Sequence, residues 1–324
     1  MKEALFYEKL DDKKVRCLLC PHRCIISNEG HGICLIRKNI EGTLHQTSYG
    51  EVSSINVDPI EKKPLYHFHP GSEILSIGTN GCNLNCAYCQ NFSISKNLTL
   101  RQKVTPEELI SLAQKTNSIG IAYTYNEPTI WYEFVYDTAM IFQKSGFKNV
   151  LVTNGYINSE PLKQLLPYID AANIDLKAFS EEKYKMLGGS LKEVLNTIET
   201  MYRKDIHIEI THLAVENYTT DIKEFDELCR FISSINKSIP LHISRYFPCY
   251  KLSLPPTRNE FLLDLFDIAK RYLSFVYLGN VLYNNDTTCP VCGAKIIIRN
   301  GYKISSFLSD NRCPICKSSL YFSF

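Results

Sequence analysis

Between residues 73 and 280, short runs of β-branched and other apolar residues alternate with longer segments whose apolar positions recur every three or four residues. The runs EILSIGT, IGIAYTY, KNVLVT, AANIDLK, IHIEITHL and PLHISRY read as strands, and a helical segment follows each. A seventh apolar run, FVYLGN, adds a late strand. One helix start is sharply marked: in TPEELISLAQK, Thr105 is placed to cap, Pro106 takes the first helical position and Glu108 closes a capping box. This alternation is the signature of parallel β/α units. It predicts an α/β fold of about six units forming a partial or complete barrel, with an open doubly wound sheet as the alternative.

In folds of this kind the loops at the carboxyl ends of the strands assemble the active site. Polar residues collect at those ends. A loop with three cysteines follows the first strand, Asn126-Glu127-Pro128 the second, and Thr153-Asn154-Gly155 the third. Asp175 and Lys177 end the fourth, Thr211 and His212 lie on the fifth, and His242 and Arg245 on the sixth. Any one of these is unremarkable as a loop residue or cap; six strands in agreement point to a site.

The 13 cysteines fall into groups. Cys17, Cys20, Cys24 and Cys34 lie near the start, Cys82, Cys86 and Cys89 in the centre, and Cys289, Cys292, Cys313 and Cys316 near the end, leaving Cys229 and Cys249 alone. Cys229 sits in a helical pattern and reads as a small buried residue. The opening residues are charged and lack an apolar leader core, and no apolar run is long enough to span a bilayer. The expectation is a soluble, cytoplasmic protein that does not engage membranes, in which spaced thiols bind metals in preference to forming disulfides. A net charge of +2, with 36 basic and 34 acidic residues, offers no reason to expect nucleic acid as a partner.

A structural zinc takes four ligands, whereas three thiolates on one tight loop can hold three irons of a four-iron cluster and leave the fourth iron open. The central loop GCNLNCAYCQNF has that content. The terminal pairs Cys289-x2-Cys292 and Cys313-x2-Cys316 have zinc-ribbon spacing, with an auxiliary iron–sulfur cluster as the alternative. For Cys17, Cys20, Cys24 and Cys34, zinc and an auxiliary cluster are equally compatible with the spacing. His22 and His31 read as loop histidines before ligands, and His67 and His69 as parts of an ordered connection before the mouth of a barrel.

With Cys82-x3-Cys86-x2-Cys89, aromatic Tyr88 before the last cysteine, and the loop following a first β-strand, the chain resembles the radical S-adenosylmethionine (SAM) superfamily. TNG and DLK at later strand ends are similar to glycyl-radical-enzyme activases such as the pyruvate formate-lyase activating enzymes. CLLCPHRC, GHGIC, INVDPIEKKPLYHFHPGS, YTYNEPTIW and CPVCG resemble the radical SAM enzymes of the AmmeMemoRadiSam system over nearly the whole chain. The resemblance implies a partial (β/α)6 TIM-like barrel over residues 71–284, an N-terminal Cys-rich cap over 1–70 and a C-terminal ribbon-like module over 285–324, joined by a short hinge at Asn284 and Asn285. It implies a [4Fe-4S] cluster on Cys82, Cys86 and Cys89 that binds SAM and cleaves it reductively to a 5′-deoxyadenosyl radical. Glu127 would meet the SAM amino group, Lys177 its carboxylate and Tyr88 the adenine, with Asn126, Thr153, Asn154, Asp175 and His242 completing the contacts. A flavodoxin- or ferredoxin-type donor would supply electrons, and the substrate, protein or small molecule, is open.

Three positions in two motifs depart from the resembled patterns. The usual Gly-Gly-Glu-Pro of the second strand end reads Tyr125-Asn126-Glu127-Pro128, and Val152 stands where the activases carry an acid before TNG. Radical modification of a small molecule, or C–C bond formation, is the enzymatic alternative to glycyl-radical generation. A metal-binding adaptor with a degenerate barrel is the alternative of another class.

Overall fold

The structure, a computed structural model, describes residues 1–99 and 101–324. Eight strands lie side by side in chain order: β1 (Ser54–Pro59), β2 (Glu73–Gly78), β3 (Gly120–Tyr123), β4 (Lys148–Thr153), β5 (Ala171–Asp175), β6 (His207–Ala214), β7 (Leu241–Arg245) and β8 (Val276–Gly279). β1 is antiparallel to β2, and every later neighbour is parallel. The main connecting helices are α1 (Pro106–Lys115), α2 (Tyr132–Lys144), α3 (Ser159–Leu165), α4 (Leu191–Arg203), α5 (Ile222–Asn236) and α6 (Asn259–Lys270). Because parallel crossovers are right-handed and the strand order never reverses, the helices gather on one face and the twisted sheet curls with that face outward. Among the described residues no pairing joins β8 to β1, so the sheet is an open partial barrel and not a doubly wound sheet.

The strand alternation sorts residues between two environments. Outward side chains such as Leu75, Ile121, Leu151, Ile174, Ile210 and Ile243 pack with helix residues Phe134, Val194, Phe225, Leu228 and Leu265 in one apolar core. Burying each such side chain stabilises the fold by about 1.5–3 kcal/mol. Cys229 of α5 is fully buried there, as its helical pattern predicts. The capping box of α1 is formed: Glu108 N–H donates to Thr105 Oγ1 (3.3 Å) and Thr105 N–H to Glu108 Oε2 (2.8 Å).

Inward, the row Ala122, Val150 and Ala171 meets Ile60, Leu65 and Phe68 from the segment after β1, which plugs the amino-terminal end of the barrel. β1 falls within the span 1–70 expected as the cap, yet it pairs with β2 from Ser54 to Pro59. Above the plug sits Glu209. Burial acts to raise its carboxyl pKa, but hydrogen bonds from His207 and His242 hold it far below the usual range, and the backbone N–H groups of Tyr66 (3.0 Å) and His67 (2.7 Å) also donate to it. His67 is itself buried and neutral, its pKa pushed down to about 3 by desolvation. It bridges Tyr321 O (2.7 Å) and Tyr277 Oη (2.6 Å) and stacks on Phe322 at 3.9 Å.

Those last partners bring in the C-terminal module, three antiparallel strands beginning at Thr287. It packs on Phe275 and Tyr277 through Ile296, Ile297, Leu320 and Phe322, and Arg299 donates to Tyr66 O at 2.9 Å. The expected hinge is corrected by this packing. Asn285 accepts from Leu278 N–H (3.0 Å) and donates to Leu278 O (2.8 Å), so its amide imitates a neighbouring strand at the edge of β8. At the other end, the buried Arg37 guanidinium joins both Glu133 oxygens (3.0 and 2.8 Å) and ties the Cys-rich segment to α2.

His212 faces the helices. Its Nδ1 meets Leu176 O (2.7 Å) and its Nε2 meets Thr220 Oγ1 (2.8 Å), an arrangement suited to a neutral ring that donates to the carbonyl and accepts from the hydroxyl. Burial lowers its pKa to about 4. An unfolded chain therefore binds a proton at His212 between about pH 6.5 and the folded value while the native chain does not, and stability falls as pH drops through that window, by at most about 1.4 kcal/mol per unit. Urea unfolding at pH 7.5 and 5.5 should show this loss, and His212→Asn should show less of it; an equal pH dependence in both would contradict the assignment.

Candidate active site

The three-cysteine loop leaves the carboxyl end of β2 and is held by its neighbours on every side. Asn126, at the end of β3, accepts from Thr79 N–H (3.0 Å) and donates to Gly81 O (2.8 Å), so its side-chain amide braces the start of the loop. Gly81 has φ +90°, and a Cβ there would come within 2.2 Å of the Cys34 carbonyl oxygen, so no larger residue fits. Asn83 donates to Tyr156 O (2.7 Å), and Asn154 donates to Asn83 Oδ1 (2.9 Å). After the loop, Lys251 N–H donates to Ala87 O (2.9 Å), bringing the β7–α6 connection against it.

The sulfur atoms are prepared for charge. Leu84 N–H points at Cys82 Sγ (3.4 Å), Asn154 Nδ2 lies 3.8 Å from the same sulfur, and Ser95 Oγ is 3.1 Å from Cys89 Sγ. Burial raises the free Cys82 thiol to about 12 and also raises Cys86, whose shift the nearby Lys177 ammonium opposes. The bare Cys82 and Cys86 thiols are thus protonated at neutral pH, and metal loading must release their protons. The donors fit the anionic sulfurs of a metal cluster better than neutral thiols.

Asp175 and Lys177 stand beside this loop, Lys177 Nζ donating to Asp175 Oδ2 at 3.0 Å. Burial works against the ammonium, but Asp175 and Cys86 together hold the Lys177 pKa well above its usual value. Tyr88 is buried edge-on to Tyr218 with its hydroxyl unpartnered. In the same register row as Asp175, the Thr211 hydroxyl is also buried without a partner.

Other residues expected at the site are spent on one another. Glu127 Oε1 accepts from Thr129 N–H (3.0 Å), Thr129 Oγ1 (2.7 Å) and Thr153 Oγ1 (2.7 Å), and its Oε2 from Asn154 N–H (2.7 Å). This carboxylate therefore ties the ends of β3 and β4 together, and Thr153 turns toward it instead of toward the mouth. His242 lies on the floor, its Nε2 2.6 Å from Glu209 and its ring against Tyr66 and Tyr277. The structure thus brings Asn154, Asp175 and Lys177 to the cysteine loop that carries Tyr88, makes Asn126 and Glu127 its braces, and sets Thr153 and His242 behind or beneath it.

Asn83, Ser95 and Glu209 were not singled out in the sequence. Glu209 had a readable signal, the polar alternation His207, Glu209, Thr211 along β6; the other two act through contacts across loops that have no periodicity. His22 differs from an ordinary loop histidine: its Nε2 reaches Asn83 O at 2.7 Å and its ring meets Tyr156 edge-on.

Residues 76–232 match the radical SAM superfamily. An uncharacterised protein of Methanocaldococcus jannaschii is 43% identical over 98% of each chain. A putative glycyl-radical enzyme activating enzyme of the same organism is 28% identical over 63% of this chain and 80% of its own length. Among solved structures, a radical SAM methyltransferase from Sphaerobacter thermophilus superposes with a TM-score of 0.51 at 12% identity, covering 85% of this chain and 75% of that one, a likeness of fold. No helix among the described residues is long and apolar enough to cross a membrane.

Proposed function

The chain belongs to the radical SAM superfamily, and we propose that its mouth binds a four-iron cluster on Cys82, Cys86 and Cys89 and cleaves SAM there to abstract hydrogen from a substrate. The observation that carries this reading is the convergence of three thiols from one loop with a fixed cation, Lys177, and the hydrogen-bond donors of Leu84 and Asn154. Cluster and SAM, when bound, supply one-electron cleavage of a sulfonium C–S bond and a 5′-deoxyadenosyl radical. The protein supplies orientation and exclusion of water.

Lys177 is held as an ammonium at the cysteine loop and is suited to the SAM carboxylate. The unpartnered Thr211 hydroxyl offers a hydrogen bond to the sugar or amino groups, and the buried Tyr88 ring offers an apolar wall for adenine. Asn126 and Glu127 act indirectly, by fixing the loop and the end of β4. Lys177→Ala removes a charge-assisted contact worth about 1.5–3 kcal/mol, so SAM affinity should fall roughly ten- to hundredfold. Calorimetric titration of SAM into the reconstituted protein reads this, and unchanged affinity would remove Lys177 from the site.

The likeness to a glycyl-radical activating enzyme supports hydrogen abstraction from a protein substrate as the first outcome to test. Anaerobic reaction with a reduced flavodoxin- or ferredoxin-type donor and host extract should leave an organic radical signal on a protein. Formation of 5′-deoxyadenosine with no protein radical would point to a small-molecule substrate.

For the C-terminal module we propose zinc, supported by the close approach of its four sulfurs. The sulfurs of Cys289, Cys292, Cys313 and Cys316 all lie within 4.8 Å of one another, and four thiolates at roughly 2.3 Å from one zinc are at most about 4.6 Å apart.

A further inference from the structure

The same distance argument separates the terminal cysteine sets. Any thiolates sharing one zinc are within about 4.6 Å of each other, and among the described residues the ribbon set is the one group of three or more metal-ligating atoms that closes to 4.8 Å. Cys17, Cys20, Cys24 and Cys34 do not close to that spacing, although the fold gathers them. Cys17 N–H donates to Cys24 O (2.9 Å) across a strand pair, Arg23 N–H donates to Cys20 O in the turn between them (3.1 Å), and Cys20 lies near Cys17, Cys34 and Cys24. The radical-motif cysteines, Cys82, Cys86 and Cys89, likewise do not close to 4.8 Å. Wider spacing suits a polynuclear cluster, in which each cysteine holds its own iron. The ribbon sulfurs also pair at 3.7 Å (Cys289 with Cys316, Cys292 with Cys313), and no such contact joins two of the N-terminal four.

A second observation is independent of sulfur spacing. Arg37 is 1% exposed, and while one terminal nitrogen binds Glu133, its Nε and Nη1 have no partner. The thiols of Cys17 and Cys34 lie near the same guanidinium. Buried guanidinium donors left unpaired are costly, more so than neutral ones, and the anionic sulfurs of a cluster would satisfy them.

We propose that Cys17, Cys20, Cys24 and Cys34 ligate a second [4Fe-4S] cluster, fully coordinated by cysteine, with Arg37 as its buried hydrogen-bond donor. Four ligands leave no open iron for a substrate, so the role is electron transfer. Cys17, Cys20 and Cys34 are buried and Cys24 is half-buried. The Cys34 carbonyl packs on Gly81, next to Cys82, and His22 reaches Asn83. Taking the radical reading of Cys82, Cys86 and Cys89 as given, one electron from a reduced low-potential donor would enter this cluster and pass to the neighbouring one, with no bond made or broken.

The test uses full-length protein in which Cys82, Cys86 and Cys89 are all alanine, reconstituted anaerobically with iron and sulfide. About four irons and four sulfides per chain should remain, against about eight in the wild type, and dithionite should produce a paramagnetic cluster signal. Adding Cys20→Ser and Cys34→Ser should bring iron to background. About two irons per chain, zinc in place of iron, or iron that survives the two serines would each overturn the proposal. A wild type with as much iron as the triple variant would instead sink the radical site, so the two failures are distinguishable. Arg37→Lys, which keeps a cation for Glu133 but loses the free donors, should retain the iron of the triple variant and lower its reduction potential; an unmoved potential would overturn the role of Arg37.

Discussion

Cys86→Ala protein, reconstituted and reduced beside the wild type, should form no 5′-deoxyadenosine from SAM, while the wild type forms it slowly even without substrate. Cys86 is the most buried of the three loop thiols and the one on which Lys177 acts most directly. Its loss removes one iron ligand and the thiol that faces Lys177, whereas Cys82 keeps the neighbouring donors Leu84 and Asn154. The fold should survive, because β2 is held by β1 and β3 and by the apolar core behind it. Chromatography of the reaction products, with circular dichroism of both proteins, checks the expectation. Equal 5′-deoxyadenosine from variant and wild type would exclude the cysteine loop as the cleavage site, and none from either would return the protein to the metal-binding adaptor alternative.

Stripping metal from the C-terminal ribbon should unfold it and loosen the floor of the barrel. Its three strands are short, and two of its four sulfurs, Cys289 and Cys313, are buried in the apolar cluster with Phe275, Tyr277, Ile296 and Phe322. Zinc contributes about 10–16 kcal/mol to the folding of small four-ligand modules, as much as the whole stability of a typical domain. Once the ribbon is lost, His67 loses Phe322 and Tyr321, and Arg299 no longer reaches Tyr66. Hydrogen exchange of Cys313→Ser protein should therefore rise sharply over residues 287–322 and to a lesser degree around Tyr66 and His67, with zinc content falling by one per chain. Unchanged protection over the ribbon would show that its apolar contacts suffice without the ion.

The alternation of apolar runs with helical segments was sufficient to read the parallel strands, the late strand β8 and the capped start of α1, because strand and helix periods are set by backbone geometry within a few residues. The three-cysteine loop was equally legible, since its thiols need only local spacing to reach one cluster. β1 was not separable from the cap, because its ties to the barrel are pairing with β2 across a plug folded from the residues between them, and hydrogen bonds of Asn56 and Asp58 to Tyr125, none of which leaves a local pattern. The ends of the strands were visible as polar positions, but their roles were decided at a distance. Glu127 has its acceptors filled by Thr153 and Asn154 from the next strand, and His242 is drawn down by Glu209. Likewise, spacing could not separate the two terminal cysteine sets, because sulfur-to-sulfur distance is a property of chain packing: the four ribbon sulfurs close to within 4.8 Å of one another, while the N-terminal four do not. Sequence determined the elements and the cluster loop, where chemistry is local; tertiary structure decided which polar groups are free, because hydrogen-bond capacity is consumed by whichever partners the fold brings within reach.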